Sequence, residues 1–274
     1  MKFQESFCLF CLLLSLVACA AAQDDEEKEI SDNSFLIEEA YNQDKDTMQS
    51  ITFFSRNTRR NEWELNFTQE FAVTSRRHQL SYTLKGERED GERGFGDTLI
   101  NYRYQLAGMN DDDKVFVAPR FSLVLPTGNW RRGLGNGAVG YQFNLPVSVE
   151  HSKKFVTHYN AGATVTPRAK NESREWATTK DFNLGQSVVW LAKPRFNVLF
   201  ETFYETIEKV VAASRTEREH EVFLNPGMRW AWNFKNGLQI VPGVAVPVGV
   251  GPSYGDTRVL FYLSFEHPYR KTNE

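Results

Sequence analysis

Long stretches in which apolar and polar residues alternate constrain this chain more than any other feature. In residues 63–71, Trp63, Leu65, Phe67 and Phe71 fall on one face, and Glu64, Asn66, Thr68 and Glu70 fall on the other. Twelve segments show this period of two, near residues 47–55, 61–73, 78–86, 96–107, 114–125, 138–150, 154–166, 179–192, 195–207, 218–233, 237–247 and 256–267. Strands of soluble proteins average about 5–6 residues, whereas a tilted strand needs about 9–11 to cross a bilayer. The pattern therefore predicts an all-β fold, a twelve-stranded antiparallel transmembrane β-barrel over residues 47–269.

The connections between these segments alternate in length. Those at 151–153, 192–194 and 234–237 are short, whereas those at 87–95, 126–137, 167–178 and 208–217 are longer; 107–113 is an exception. Barrels of the outer membrane have short periplasmic turns and longer external loops. A soluble β-sandwich is the alternative, but it would expose long strand edges that invite aggregation.

The N-terminus has the pattern of an export signal, in which an apolar run over 7–17 is followed by small residues up to Ala22. We predict a cleaved signal peptide over residues 1–22 and a location in the bacterial outer membrane. Lipidation at Cys19 is the alternative, because residues 16–19 resemble a lipoprotein box. All three cysteines lie in this segment, so cleavage leaves no thiol for a disulfide or a metal site.

Residues 23–46 form an acidic leader, with ten acids and two bases between 24 and 46. Asp32 or Asn33 is a candidate N-cap for a short helix over 34–41. This periplasmic segment is either a disordered spacer or a segment drawn to a positively charged barrel mouth. Residues 270–274 form a polar C-terminal tail.

Charged residues on the polar faces are predicted to line the lumen. The candidates for selectivity are Arg103, Arg120, Arg195, Arg229, Arg258, Glu64, Glu70, Glu201, Glu205 and Glu221. Charged linings filter solutes in pores, but paired charges can equally fill and close a barrel. The inward arginines predict a lumen that favours anions, partly offset by the glutamates.

External arginines are candidates for anion binding. They are Arg56, Arg59 and Arg60 in the first loop and Arg131 and Arg132 in the third. Arginine suits phosphate, so lipopolysaccharide is a candidate partner, although such runs are usually solvated. The formal net charge of −3 argues against nucleic acid.

Enzymatic motifs are absent from the sequence, which carries no nucleotide-binding loop, nucleophile elbow or zinc spacing. We therefore expect no enzyme activity, no cofactor and no metal. An outer-membrane lipid hydrolase would need a serine beside a histidine, and the sequence assigns no serine to His158.

Several motifs in order resemble a known family. They are Asp32 to Gln43, Gly94 to Asp97, Asn101 to Leu106, Leu125 to Gly128 and Tyr262 to Pro268. Together they resemble the outer-membrane proteins grouped as the putative MetA-pathway of phenol degradation family, often named transporters. The resemblance implies an outer-membrane barrel linked to uptake of small, often aromatic, compounds. Because the sequence carries no nucleotide-binding loop and the acidic leader is too short to be a folded plug domain, we expect passive diffusion of a small organic solute. Lipid, lipopolysaccharide and the barrel-assembly machinery are the partners that such a barrel implies.

Overall fold

A computed structural model of the chain describes residue 30 and residues 34–110 and 112–269. Sixteen β-segments form twelve barrel strands, because four strands are interrupted. The strands are β1 (Thr47–Asn57), β2 (Trp63–Val73), β3 (Ser75–Glu89), β4 (Glu92–Phe95 and Thr98–Tyr104), β5 (Val115–Val117 and Arg120–Leu125), β6 (Gly140–Ser152), β7 (Phe155–Lys170), β8 (Trp176–Lys193), β9 (Phe196–Ala212), β10 (Arg215–Trp230 and Trp232–Asn233), β11 (Gln239–Ala245 and Val248–Gly249) and β12 (Arg258–Pro268). Two single 3₁₀ turns, Trp130–Arg132 and Gly251–Ser253, lie in connections.

The sheet closes on itself, which confirms the predicted barrel. Each strand pairs antiparallel with its neighbours in chain order, and β12 returns to β1 in a continuous register from Thr47↔Pro268 to Asn57↔Arg258. Closure leaves no long edge with unpaired N–H and C=O groups, a condition that lipid imposes on any spanning sheet.

The outward face of the barrel is apolar. Leu65, Tyr102, Phe143, Leu184 and Phe261 are each between 38% and 59% exposed although they stand in the middle of strands. A water-soluble sandwich would bury such a set, whereas lipid solvates it. Among the described residues, no helix is long and apolar enough to cross a membrane.

The connections differ in part from the expected loops. The turns at 153–154 and 194–195 are short, as predicted. However, much of 87–95 and 208–217 is strand, because β3–β4 and β9–β10 run on as hairpins that turn at 90–91 and 213–214. Cross-strand ion pairs such as Arg218–Glu208, at 2.6 Å, support a hairpin that extends beyond the apolar band.

The signal peptide, Cys19 and the 270–274 tail lie outside the described residues. The helix predicted over 34–41 does not form; these residues follow an irregular path with bends. The reason is visible in their hydrogen bonds, because the backbone N–H groups that a helix would use donate to side chains of the barrel wall instead.

Candidate functional site: the lumen and the segment within it

Residues 34–43, here called the inner segment, lie inside the barrel. At one end the Ser34 hydroxyl is 2.8 Å from the Ser187 hydroxyl on β8. At the other end the backbone N–H of Gln43 donates to Gln79 Oε1 on β3 at 2.7 Å. The inner segment therefore crosses the lumen before it joins β1 at Thr47. Residues 34–43 of the acidic leader are thus neither a disordered spacer nor a helix, but lie inside the barrel.

Inward polar side chains bind the backbone of the inner segment one after another. Glu201 on β9 is fully buried and accepts the N–H groups of Leu36 and Ile37 at 3.0 and 3.1 Å. Asn160 accepts the N–H of Glu38 at 2.8 Å and donates to its carbonyl at 2.7 Å. Since a buried backbone donor without a partner is costly, these acceptors make an irregular path inside a barrel possible.

Two of the predicted lumen arginines converge on one carboxylate of the inner segment. Arg103 Nη1 lies 3.2 Å from Glu38 Oε1, and Arg120 Nε lies 2.9 Å from Glu38 Oε2. Arg103 also donates to Asn42 Oδ1 and to the carbonyl of Tyr41. Burial acts to raise the pKa of Glu38, but the two guanidinium groups and the Asn144 amide outweigh it and hold the pKa below its usual range.

Apolar side chains hold the other side of the inner segment. Phe35 packs edge-on against Tyr262 with ring centroids 5.7 Å apart. The inward residues of this cluster on the strands are Ile51, Val156, Val189, Leu199, Val241, Ala245, Leu260 and Tyr262. Apolar residues on this wall thus face the lumen as well as the lipid, because these inward positions pack against the inner segment and not against water.

Glycines on three strands make room for the inner segment. A Cβ at Gly185 would lie 2.2 Å from Ile37 Cδ1, and one at Gly227 or Gly243 would lie 2.4 or 2.6 Å from the ring of Phe35. Side chains essentially never approach so closely, so any residue larger than glycine would displace Phe35 or Ile37. The three glycines therefore leave the space on the barrel wall that Phe35 and Ile37 occupy.

The part of the lumen towards the external hairpins, here called the outer lumen, is lined by charge. Its inward acids are Glu64, Glu87, Asp181, Glu205, Glu221 and Asp256, and its bases are Lys85 and Arg258. Arg258 lies 3.0 Å from Asp256 and 3.5 Å from Glu221, and Lys85 lies 2.6 Å from Glu87. Glu205 stands directly opposite Glu221 in the β9–β10 register. Acids outnumber bases here, whereas in the inner lumen Arg103 and Arg120 are paired with Glu38.

The remaining lumen candidates occupy different places. Glu70 is buried and accepts a hydrogen bond from Gln79 at 2.9 Å. Arg229 is 2% exposed, opposite Asn197 and Gly243. Arg195 lies in the turn between β8 and β9, at the end of the barrel wall, and its part in the lumen lining stays a prediction. Selectivity by the lining residues stays a prediction.

The two groups of external arginines differ in their contacts. Arg132 is ion-paired with Glu92, and Arg131 stacks over Trp130 at 4.5 Å. Arg60 is bound by Asp256 at 2.6 Å and by Glu62 at 3.1 Å. Arg56 and Arg59 are exposed, and neither has a carboxylate partner among the residues that the structure describes.

A serine and a histidine do meet in the lumen, contrary to the sequence expectation. Ser148 Oγ lies 2.7 Å from His158 Nδ1, directly across the β6–β7 pair. Both are buried, and the same hydroxyl accepts the N–H of Ala40 at 2.8 Å. The pair binds the inner segment, and in the described part of the chain no carboxylate orients the imidazole as hydrolysis requires.

Some of these features leave a signal in the sequence. Alternation fails over 259–263, where all five residues are apolar, and this indicates a strand buried on both faces. Gln105 accepts the N–H of Asn42 at 3.0 Å, as Asn160 and Ser148 accept those of Glu38 and Ala40. These three acceptors stand at polar positions like any others, so nothing in the sequence distinguishes their role. Their partner is a segment that no local pattern places inside the barrel.

Solved structures share this architecture. The COG4313 outer membrane channel from Pseudomonas putida F1 aligns with a TM-score of 0.60 at 11% identity, over 90% of this chain and 99% of that one. The NanC porin aligns with a TM-score of 0.52 at 8% identity, over 80% of this chain and 98% of that one. At such identities the likeness shows the fold.

Sequence comparison supplies the family. No curated protein matches the chain. The family described as "Putative MetA-pathway of phenol degradation" matches residues 48–250. This range runs from the first strand, β1, to the connection that leads into the last strand, β12, and the chain belongs to that family.

Proposed function

We propose that this protein is an outer-membrane channel through which small organic solutes diffuse passively. The family description indicates aromatic compounds as the solute class. The observation that carries the proposal is that a segment of the chain itself occupies the inner lumen. A twelve-stranded barrel is wider than the eight-stranded kind that side chains just fill. The space taken by an extended peptide is therefore space that a small organic molecule could use if the inner segment moved.

The contacts of the inner segment suit reversible movement. Hydrogen bonds, one buried ion cluster at Glu38 and the packing of Phe35 and Ile37 hold it, and Thr47 tethers it to the barrel. Each of these contacts is non-covalent, and the barrel strands pair with one another without it. Displacement of the inner segment therefore need not open the sheet.

Single-channel conductance in planar bilayers tests this function directly. We expect the full-length protein to give small steps, and a variant that lacks residues 34–43 to give steps several-fold larger. Heat-modifiable migration on gels checks that both variants are folded. Silence from both variants, with folding intact, would contradict the channel.

A disulfide tests whether the inner segment must move. The Ser34 and Ser187 hydroxyl oxygens are 2.8 Å apart, so Ser34→Cys with Ser187→Cys places two thiols side by side. Swelling of vesicles in small organic solutes should stop when this pair is oxidised and return on reduction. The single variant Ser34→Cys is the matched control and should be insensitive to oxidant.

A non-conducting structural barrel is the second candidate. It is favoured by close packing in the inner lumen, where Ile37, Leu199 and Val241 are each 1% exposed. If swelling and conductance are absent in the reduced form as well, and the deletion alone conducts, the inner segment is a permanent closure.

Export and insertion are part of the same proposal. The apolar run over 7–17 supports a cleaved signal peptide, and the closed barrel with its apolar outer face supports insertion by the barrel-assembly machinery. N-terminal sequencing of the mature protein should begin at Gln23. A blocked N-terminus at Cys19 would establish lipidation instead.

A further inference from the structure

A pocket of about 260 Å³ lies on the outside of the barrel where β1 meets β12. Phe54 and Phe261 face each other in register across this seam, and their ring centroids are 6.5 Å apart. Both side chains point outward, as does Val259. The floor of the pocket is thus a continuation of the apolar surface that faces lipid.

Three arginines form the opposite side of the pocket, at the external end of β1. Arg56 follows Phe54 by two residues on the same face, which is about 7 Å along a strand. The Asn57 side chain accepts the N–H groups of Arg59 and Arg60, both at 2.9 Å, and so fixes the course of the loop. Arg60 is neutralised by Asp256 and Glu62, but Arg56 and Arg59 have no acidic partner in the described part of the chain.

We propose that this pocket binds a phosphorylated acyl lipid of the outer leaflet, of the lipid A type. The phosphate would lie between the guanidinium groups of Arg56 and Arg59, whose planar forks match phosphate oxygens. An acyl chain would lie along Phe54, Val259 and Phe261. A free anion would use only the arginines and a hydrocarbon only the rings, whereas an amphiphile uses both halves of the pocket. The proposal requires the outer-membrane location, but it is independent of conduction.

The third-loop arginines provide the contrast within the same molecule. Arg132 is already paired with Glu92, and Arg131 lies over Trp130. The fork of Arg132 is thus already occupied, and Arg131 lies against a single ring and not beside a row of outward apolar wall residues. They are therefore a matched pair of external arginines that should not contribute to this site.

Native mass spectrometry of the full-length barrel with bisphosphorylated lipid A tests the proposal. We expect the double variant Arg56→Gln with Arg59→Gln to bind lipid A about tenfold or more weakly. A tenfold loss corresponds to about one charge-assisted hydrogen bond. Arg131→Gln with Arg132→Gln should bind as the parent does. Equal weakening by both double variants would indicate unspecific charge attraction and would overturn the site.

A second arm separates a lipid from a free phosphate. Phe261→Ala should weaken lipid A binding while the arginines remain, and inorganic phosphate should compete poorly. If Phe261→Ala binds normally and phosphate competes fully, the pocket takes a free anion and the proposal fails. The double variant Arg56→Lys with Arg59→Lys keeps the positive charge. Partial binding by this variant would show that substitution at these two positions leaves the pocket folded, so the loss in the glutamine variant reflects the lost charge. A silent bilayer would remove the channel function but would leave these outcomes unchanged.

Discussion

The charged side chains of the inner lumen and those of the outer lumen take their ion-pair partners from different parts of the chain. In the inner lumen Arg103 and Arg120 share the carboxylate of Glu38, which comes from outside the strands. In the outer lumen the charges are supplied by the barrel and its loops, as in Lys85–Glu87 and Arg258–Glu221. The inner lumen is therefore complete only when the inner segment is in place, whereas the outer lumen does not depend on it.

This difference separates closure from selectivity. Removal of an inner contact should release the segment and change how much passes through the barrel. Removal of an outer charge should change which ions pass and leave the segment in place.

The largest effect is expected from Glu38→Ala. The substitution leaves Arg103 and Arg120 buried without their carboxylate, and breaking such a buried cluster costs about 3–5 kcal/mol. We expect the inner segment to detach and conductance to rise towards that of the deletion variant. Glu205→Gln, in the outer lumen, is the control and should keep the parental step size. A parental step size for Glu38→Ala would show that the remaining contacts are enough to keep the inner segment in the lumen.

The ionisation of Glu38 also predicts the direction in which conductance changes with pH. Its pKa is lowered in the folded protein, so its contribution is full at neutral pH and is lost as the pH falls through that lowered value. We expect acid to increase conductance in the parent and to have little effect in Glu38→Ala. An acid response that persists in Glu38→Ala would place the titrating group elsewhere.

A smaller effect is expected from Gly227→Ala. A methyl group there would meet Phe35 Cε2 at 2.4 Å, and overpacking of this kind costs about 1–3 kcal/mol. Protease sensitivity of the inner segment should therefore increase. Gly86→Ala is the matched control, because its new methyl group would stand 3.7 Å from the ring of Trp63, in ordinary contact. Equal protease sensitivity in the two variants would show that Phe35 can repack.

Sequence and structure agree where the partner of a residue lies in the next strand. The twelve strands and the inward direction of Arg103, Arg120 and Glu201 follow from alternation, since a slip by one residue would place these charges in lipid. The partner of these side chains could not be predicted in the same way. Glu38 and Phe35 lie in a segment with no period of two, and their positions depend on space that exists only once the barrel has closed.

Ion selectivity should reflect the outer lumen. The sequence predicts a preference for anions from five inward arginines, but Glu38 occupies two of them, and acids outnumber bases in the outer lumen. We now expect a modest preference for cations, measured as a reversal potential across a salt gradient. Lys85→Gln should strengthen the preference and Glu221→Gln should weaken it, with step size nearly constant. A preference for anions that survives in Lys85→Gln would instead support the prediction that the inward arginines set the selectivity.

The smallest effect is expected from Lys209→Gln at the external mouth. Lys209 on β9 lies 3.3 Å from Glu89 on β3, and these strands stand opposite each other in a ring of twelve. Both side chains are about half exposed, so the pair contributes at most about 1 kcal/mol and weakens with salt. We expect a slight rise in conductance at low salt that disappears at high salt. Because this contact is remote from the inner segment, the rise should add to that of Glu38→Ala. A response that is lost in the Glu38→Ala background would instead show that the external hairpins and the inner segment move together.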